Sequence, residues 1–264
     1  MKITVLCENT AADAHFLCEH GLSLYIETDS HRLLFDMGQT DVFFHNAKIM
    51  NLSLADVDYA VLSHGHYDHG GGLSCFFEQN RTAPVFLSRH AFGDYYNAQG
   101  KYIGLDKTLQ RIDRMIPTDE CTPINNTFTL FSCNTLSRPC PASAFGLTER
   151  HDDQLIEDRF LHEQYLLIRE NGKRVLVSGC SHKGIQNIVR WFRPDVLIGG
   201  FHQMKVDCDQ EQGKNELKAL ADDLMKSDTD FYTCHCTGQP QYDLLKTHMQ
   251  NRLHYLSAGS AIII

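Results

Sequence analysis

The segment Val61-Leu62-Ser63-His64-Gly65-His66-Tyr67-Asp68-His69-Gly70-Gly71-Gly72-Leu73 places four metal-ligating side chains, His64, His66, Asp68 and His69, within six consecutive positions. It follows an apolar run, Tyr59–Leu62, that reads as a short buried strand, and it runs into three glycines. The four residues therefore fall in the turn between a strand end and a helix start. A straight strand would send alternate side chains to opposite faces, whereas a turn can aim several at one point. Imidazole and carboxylate together suit a divalent metal ion, zinc first, with manganese or iron as alternatives. A lone histidine is ordinarily a core or surface residue; three histidines and an aspartate at this spacing are poorly explained by packing.

At 264 residues the chain is long enough for a large core. It has no Pro/Ser/Gly-rich linker and no repeat, so one domain over residues 1–264 is expected. The formal net charge of −9 argues against a nucleic-acid binder, which needs a basic face. No stretch approaches the roughly 18 apolar residues of a membrane span. The N-terminal run Lys2–Cys7 is too short for a signal peptide and reads as a first strand. Ten cysteines are scattered without a CxxC pair. They read as reduced thiols in a cytoplasmic protein, most of them small buried hydrophobes.

Strands are expected at Lys2–Cys7, Glu19–Glu27, Arg32–Asp36, Tyr59–Leu62, Pro84–Ser88, Phe128–Cys133, Asp195–Ile198 and Asp230–Thr233, and in the apolar end Leu253–Ile264. A hairpin is expected from Tyr165–Arg169 to Arg174–Ser178 across Asn171-Gly172. Helices are expected over 40–50, 73–79, 184–192 and 215–226. The middle, 93–160, is less periodic and reads as loop-rich. Strands first and strands mixed with helices later suggest two mixed sheets with helices outside, an α/β arrangement.

Three later strands each run into a turn carrying a histidine: Val175–Ser178 into Cys180 and His182, Val196–Ile198 into His202, and Phe231–Thr233 into His235. Ligands of α/β sheets bind beyond the carboxyl ends of strands, so all three histidines lie where function is expected.

The H-x-H-x-D-H pattern after an apolar strand resembles the signature of the metallo-β-lactamase fold superfamily. The resemblance implies an αββα sandwich of two mixed β-sheets flanked by helices, with a metal site at one edge. It implies one or two ions held by His64, His66, Asp68, His69, His182 and His235. Cys180 stands where the family usually has a bridging aspartate. His162 is the nearest residue to the family's usual third-motif histidine, and His182 is expected to fill that place. Asp36, in Leu34-Phe35-Asp36-Met37-Gly38, matches the family residue that orients the ligand loop. Asp68 is also a candidate to orient water, and His202 to touch substrate. The blocks Glu19–Ser23, Leu34–Gln39, Ser63–Leu73, Ser178–His182, Gly199–His202 and His235–Gly238 resemble one branch, that of 7,8-dihydropterin-6-methyl-4-(β-D-ribofuranosyl)aminobenzene 5′-phosphate synthase.

The leading expectation is a metal-dependent hydrolase of a small molecule, with a phosphorylated substrate as one option. Two ions about 4 Å apart polarise a substrate and activate water without a separate base. Gly70–Gly72 and Lys183-Gly184 lie at helix starts, which favour anions; Lys183, Arg89 and His90 are the substrate-binding candidates. The alternative is the branch's condensation reaction, with Tyr95, Tyr96 and Tyr102 available to stack on a ring. A metal-containing ligand sensor or redox iron protein is a third reading, kept open by Cys180, Cys234 and Cys236. The expected partner is a small molecule, with no nucleic acid and no membrane; a homo-oligomer is left open.

Overall fold

The computed structural model describes residues 1–264. Two seven-stranded mixed sheets carry the architecture. The first runs in the order Ala261–Ile263, Lys2–Cys7, Ser23–Glu27, Arg32–Phe35, Tyr59–Val61, Val85–Ser88, Met115–Thr118. Its N-terminal strands are antiparallel, and from Arg32–Phe35 onward neighbours are parallel. The second runs Leu253–Tyr255, Asp230–Thr233, Val196–Ile198, Lys173–Val177, Tyr165–Glu170, Phe128–Phe131, Cys121–Pro123. Its first four strands are mutually parallel and the others antiparallel.

Strand alternation builds the layers. Leu33, Phe35 and Val61 of the first sheet meet Phe128, Leu166, Val175, Val177 and Ile198 of the second, in the core between the sheets. Leu34 and Ala60 point the other way, against Phe43, Ala47, Leu73 and Phe76 of helices Val42–Ile49 and Leu73–Gln79. On the far side, Leu167, Leu176, Leu197 and Phe231 pack against Ile188, Leu217, Leu224 and Leu245 of helices Ile185–Phe192, Glu211–Leu224 and Gln239–Met249. The layers are therefore helix, sheet, sheet, helix, the αββα sandwich expected.

The expected hairpin forms. Glu170 pairs with Lys173, and Asn171 and Gly172 both adopt positive φ (51° and 76°), the type I′ geometry that matches strand twist.

Several expectations need correction. The strand expected from Glu19 begins at Ser23, because residues 19–22 form a loop. Helix Glu211–Leu224 starts four positions earlier than expected; its first turn, Glu-Gln-Gly-Lys, carries no apolar period to reveal it. The middle is not simply loop. It contributes Met115–Thr118 and Cys121–Pro123 to the edges of the main sheets, and Tyr95–Tyr96, Thr148–His151 and Gln154–Glu157 to a third small sheet. These strands are short and mostly exposed or half-buried, so they lack the apolar alternation that marks a buried strand.

Candidate metal centre

Five parallel-strand ends deliver the candidate residues to one edge of the sandwich. Asp36 follows Arg32–Phe35, the His64–His69 turn follows Tyr59–Val61, Cys180 and His182 follow Lys173–Val177, His202 follows Val196–Ile198, and His235 and Cys236 follow Asp230–Thr233. The turns are sharp. Asp36, Ser181, His202 and His235 all have left-handed backbone, with φ of 58°, 59°, 55° and 48°. Gly71 and Gly72 let the ligand turn lie against the Met37–Thr40 loop; a Cβ on either would sit 2.2 Å from a backbone oxygen, Gln39 O or Met37 O. Close approach therefore explains these glycines.

Two groups of donor atoms converge. In the first, ligand atoms of His64, His66 and His182 all lie within 4.8 Å of one another, and the Nε2 atoms of His64 and His182 are 3.3 Å apart. In the second, Asp68 Oδ2 lies 3.3 Å from His235 Nε2 and 3.8 Å from His69 Nε2, and the two Nε2 atoms are 3.2 Å apart. Nitrogens bound at about 2.05 Å to one tetrahedral ion sit about 3.3 Å apart. Burial and the neighbouring imidazoles hold His64 and His182 well below the usual histidine range, so both are neutral and keep lone pairs. His66 Nε2 and His182 Nδ1 are buried without a hydrogen-bond partner. Buried neutral imidazoles facing one another, with unpartnered nitrogens nearby, fit a divalent ion better than a closed hydrogen-bond network.

Charge is balanced differently in the second group. Burial disfavours charge on His69, but the Asp36 and Asp68 carboxylates outweigh it and hold the ring at about 9. Burial likewise opposes ionisation of Asp68, yet His69, His20 and His235 hold its carboxyl well below the usual range. Cys180 lines this side, its Sγ 3.1 Å from His69 Nε2. Burial pushes the Cys180 thiol up, whereas the neighbouring Cys180 thiol and the His202 and His235 rings hold Cys236 well down despite burial.

Three fully buried carboxylates hold the ligand segments in place. Asp36 accepts from Ser63 N, Ser63 Oγ and His69 Nδ1, each at 2.7 Å. Glu163 accepts from His182 N at 2.6 Å and Lys183 N at 3.0 Å. Glu8 accepts from His235 N at 2.6 Å. Asp36 thus sits where it can orient the turn and the His69 ring. Glu8 and Glu163 were not singled out in the sequence, and neither lies within a motif. His20 was also missed, being read as part of a strand; it is a half-exposed loop residue with Nε2 3.3 Å from Asp68 Oδ2.

His162 does not supply a free nitrogen. Its Nδ1 accepts from Gly65 N at 3.0 Å and its Nε2 lies 3.1 Å from Asp158 Oδ2, while burial lowers it to about 4. His182 takes the place beside His64 and His66.

A cavity of about 200 Å³ opens onto both groups. Its walls include Ile103, Leu147, Phe145, Met204, Asn97 and Lys205, and His202 lines it beside His182, ring centroids 4.2 Å apart. Four residues expected to touch substrate lie elsewhere. Lys183 is fully buried and donates from Nζ to Ser132 O (2.6 Å) and Glu163 O (2.8 Å), so it is an internal strut facing away from the cavity. Arg89 pairs with Asp119 on the surface, and Arg89 and His90 line a separate depression. Tyr95, expected to be free for stacking, is buried against His162. Lys205 is the lysine that the cavity does present.

No helix is long and apolar enough to cross a membrane. Residues 18–121 match the family model for the metallo-beta-lactamase superfamily. The chain is 30% identical over 270 residues to the uncharacterized protein MJ0448 of Methanocaldococcus jannaschii, covering 98% of this chain and 99% of that protein. It is 28% identical over 291 residues to 7,8-dihydropterin-6-methyl-4-(beta-D-ribofuranosyl)-aminobenzene-5'-phosphate synthase of the same organism, covering 99% and 96%. Among solved structures, Tm1679, described as a metal-dependent hydrolase of the beta-lactamase superfamily, superposes with a TM-score of 0.83 at 27% identity, covering 100% of this chain and 99% of that one. With this fold, this arrangement of side chains and these full-length relatives, the chain belongs to the metallo-β-lactamase superfamily, in the branch that includes the dihydropterin synthase.

Proposed function

We propose that the chain is a metal-dependent hydrolase of a small molecule bearing an acidic group. The observation that carries this reading is the convergence of His64, His66 and His182, and of Asp68, His69 and His235, into two donor groups beside one cavity, which His66, His182, Asp68 and His235 line. These two sets would each hold a divalent ion, zinc being the best fit to the donors. Bound ions supply a polarised electrophile and a water of lowered pKa.

The chain's own residues bind and orient. Ile103, Leu147, Phe145 and Met204 offer an apolar wall that excludes water from the substrate's body. Lys205, whose Nζ is held 3.1 Å from Phe145 O, offers a cation at the wall. His20, half-exposed at the cavity with its Nε2 3.3 Å from Asp68 Oδ2, can move a proton between the reacting group and solvent. His202 flanks the reacting edge.

A condensation of the synthase type is the second reading, favoured by the 28% identical synthase. Incubation of the zinc-loaded chain with phosphoester, thioester and lactam panels, against paired pterin and ribosyl-aminobenzene substrates, separates the two. Turnover of a single substrate with water supports the hydrolase; product formation only from the pair overturns it.

A further inference from the structure

A second cavity, of about 240 Å³, lies beside the one that opens onto the metal centre, and the two share Phe145, His182 and His202 as a common wall. Phe145 is held in that wall against its backbone preference. Its φ is 48° and that of Gly146 is 81°, in a turn closed by Leu147 N donating to Ala144 O at 2.9 Å. Glycine and asparagine take two such successive left-handed positions readily; a bulky aromatic residue does not. The turn is pinned from both sides, because Phe145 N donates to Ser143 Oγ and Lys205 Nζ donates to Phe145 O, each at 3.1 Å. Strain kept by surrounding bonds marks a position where the side chain is needed. The Phe145 ring meets His202 edge-on, centroids 5.3 Å apart. His202 Nε2, on the same wall, is buried without a hydrogen-bond partner. A buried polar atom left unpaired is unfavourable, so this wall suits completion by a ligand.

The two cavities differ in chemistry. The first presents the Lys205 cation beside its apolar wall. The second has no lysine or arginine, and apart from histidine its one ionisable side chain is Glu216. Gln186 donates from Nε2 to Asp223 Oδ2 at 2.7 Å, and Gln203 from Nε2 to Phe201 O at 2.9 Å. Both amides have therefore spent a donor and keep Oε1 as an acceptor. One carboxylate and two amide oxygens match a primary ammonium, which carries three donors and a positive charge. The start of helix Ile185–Phe192 also borders this cavity and opposes a cation. Its charge of about +0.5 is half that of the Glu216 carboxylate and of opposite sign, so the carboxylate prevails. We propose that the two cavities are lobes of one site for a small zwitterion. Its acidic group lies near Lys205, its reacting group at the metal centre, and its primary ammonium in the second lobe with Glu216, Gln186 and Gln203. This rests on the reading of the first cavity as the catalytic one. Phe145 divides the lobes and sets the spacing between the two charged ends, which makes it a specificity-determining residue.

The test is calorimetric titration of the zinc-loaded full chain with a homologous series of ω-aminoalkylphosphonates, each against the alkylphosphonate and the ω-hydroxyalkylphosphonate of equal length. None of these is hydrolysed, so binding is read without turnover. The expected result is one preferred chain length at which the amino member binds about tenfold tighter than the alkyl member, the worth of a charge-assisted hydrogen bond. Glu216→Gln, an exposed helix position that folds normally, removes that gain. Phe145→Ala removes the divider and flattens the preference for one length. Equal affinities of the amino and alkyl members, or a gain that survives Glu216→Gln, overturn the ammonium lobe and leave the metal-dependent hydrolase standing. A hydroxyl member that binds as tightly as the amine overturns it as well. An unchanged length preference in Phe145→Ala overturns the role of Phe145. No binding of any phosphonate overturns the lobe and the acid-binding catalytic cavity together.

Discussion

The Nε2 atoms of His64 and His182 face each other at 3.3 Å, their ring planes 77° apart, across 118 positions of sequence. Burial holds both rings neutral, so each keeps a lone pair that an ion between them can bind. His182→Ala should therefore lower metal content by about one ion per chain, measured by elemental analysis, with circular dichroism unchanged. The wild-type chain should lose stability in a chelator. A ligand at one hundred times its dissociation constant contributes about 2.7 kcal/mol, so the melting temperature should drop by several degrees on chelation. Equal melting temperatures with and without chelator would remove the metal centre from consideration.

Asp36 accepts three 2.7 Å hydrogen bonds without exposure to solvent. Asp36→Asn keeps the shape and loses the charge that orients His69. Metal affinity should fall by about 10–100-fold, the usual effect of disturbing a ligand's hydrogen-bond partner. Asp36→Ala leaves Ser63 and His69 unpaired and should cost about 3–5 kcal/mol in denaturant unfolding. Unchanged affinity in the Asn variant would show that Asp36 serves stability alone.

Two lysines separate binding from support. Lys205→Ala removes an exposed side chain and should shift stability by no more than about 0.5 kcal/mol. It should raise KM for anionic substrates and leave neutral ones unaffected. Lys183→Met strands the carbonyls of Ser132 and Glu163 and should cost about 2 kcal/mol or more. Its KM values should not discriminate by substrate charge. Steady-state kinetics on a charged and a neutral ester, with melting curves, check both.

Much of this was legible in the chain because it was local. The turn His64–His69 lies in one stretch, and the strands flanking Cys180, His202 and His235 are apolar enough to be seen. Asn171-Gly172 carries its own turn chemistry. What was hidden depends on tertiary contact. Glu8 reaches His235 over 227 positions, and nothing around Glu8 signals it. Lys183 follows a ligand and opens a helix, which reads as an anion site, yet its side chain turns into the core. Arg89 follows a buried strand but ends on the surface beside Asp119. Sequence spacing identifies which residue types gather at a strand end; it does not say which way each side chain points.

The metal-free protein should have a stability maximum near pH 6.5. His162 has a folded pKa of about 4 against an ordinary 6.5, and His64 and His182 are shifted in the same direction. As pH falls below 6.5 the unfolded chain takes up protons that the folded chain refuses, so stability declines down to about pH 4. Each such imidazole contributes a slope of about 1.4 kcal/mol per pH unit. His69 runs the other way. Its folded pKa of about 9 gives stability that is complete below 6.5 and lost as pH rises toward 9. Burial lowers Lys183 to about 8, so above that pH the unfolded chain holds its proton longer, which offsets part of the alkaline loss. The acid limb should therefore be the steeper. Melting curves in chelator at pH 5, 6.5 and 8.5, taken as about one to two units either side of the histidine midpoint, read this directly. A melting temperature that stays level from pH 6.5 to 5 would mean that these imidazoles are already protonated in the fold, and a tri-imidazole metal position would lose its physical basis.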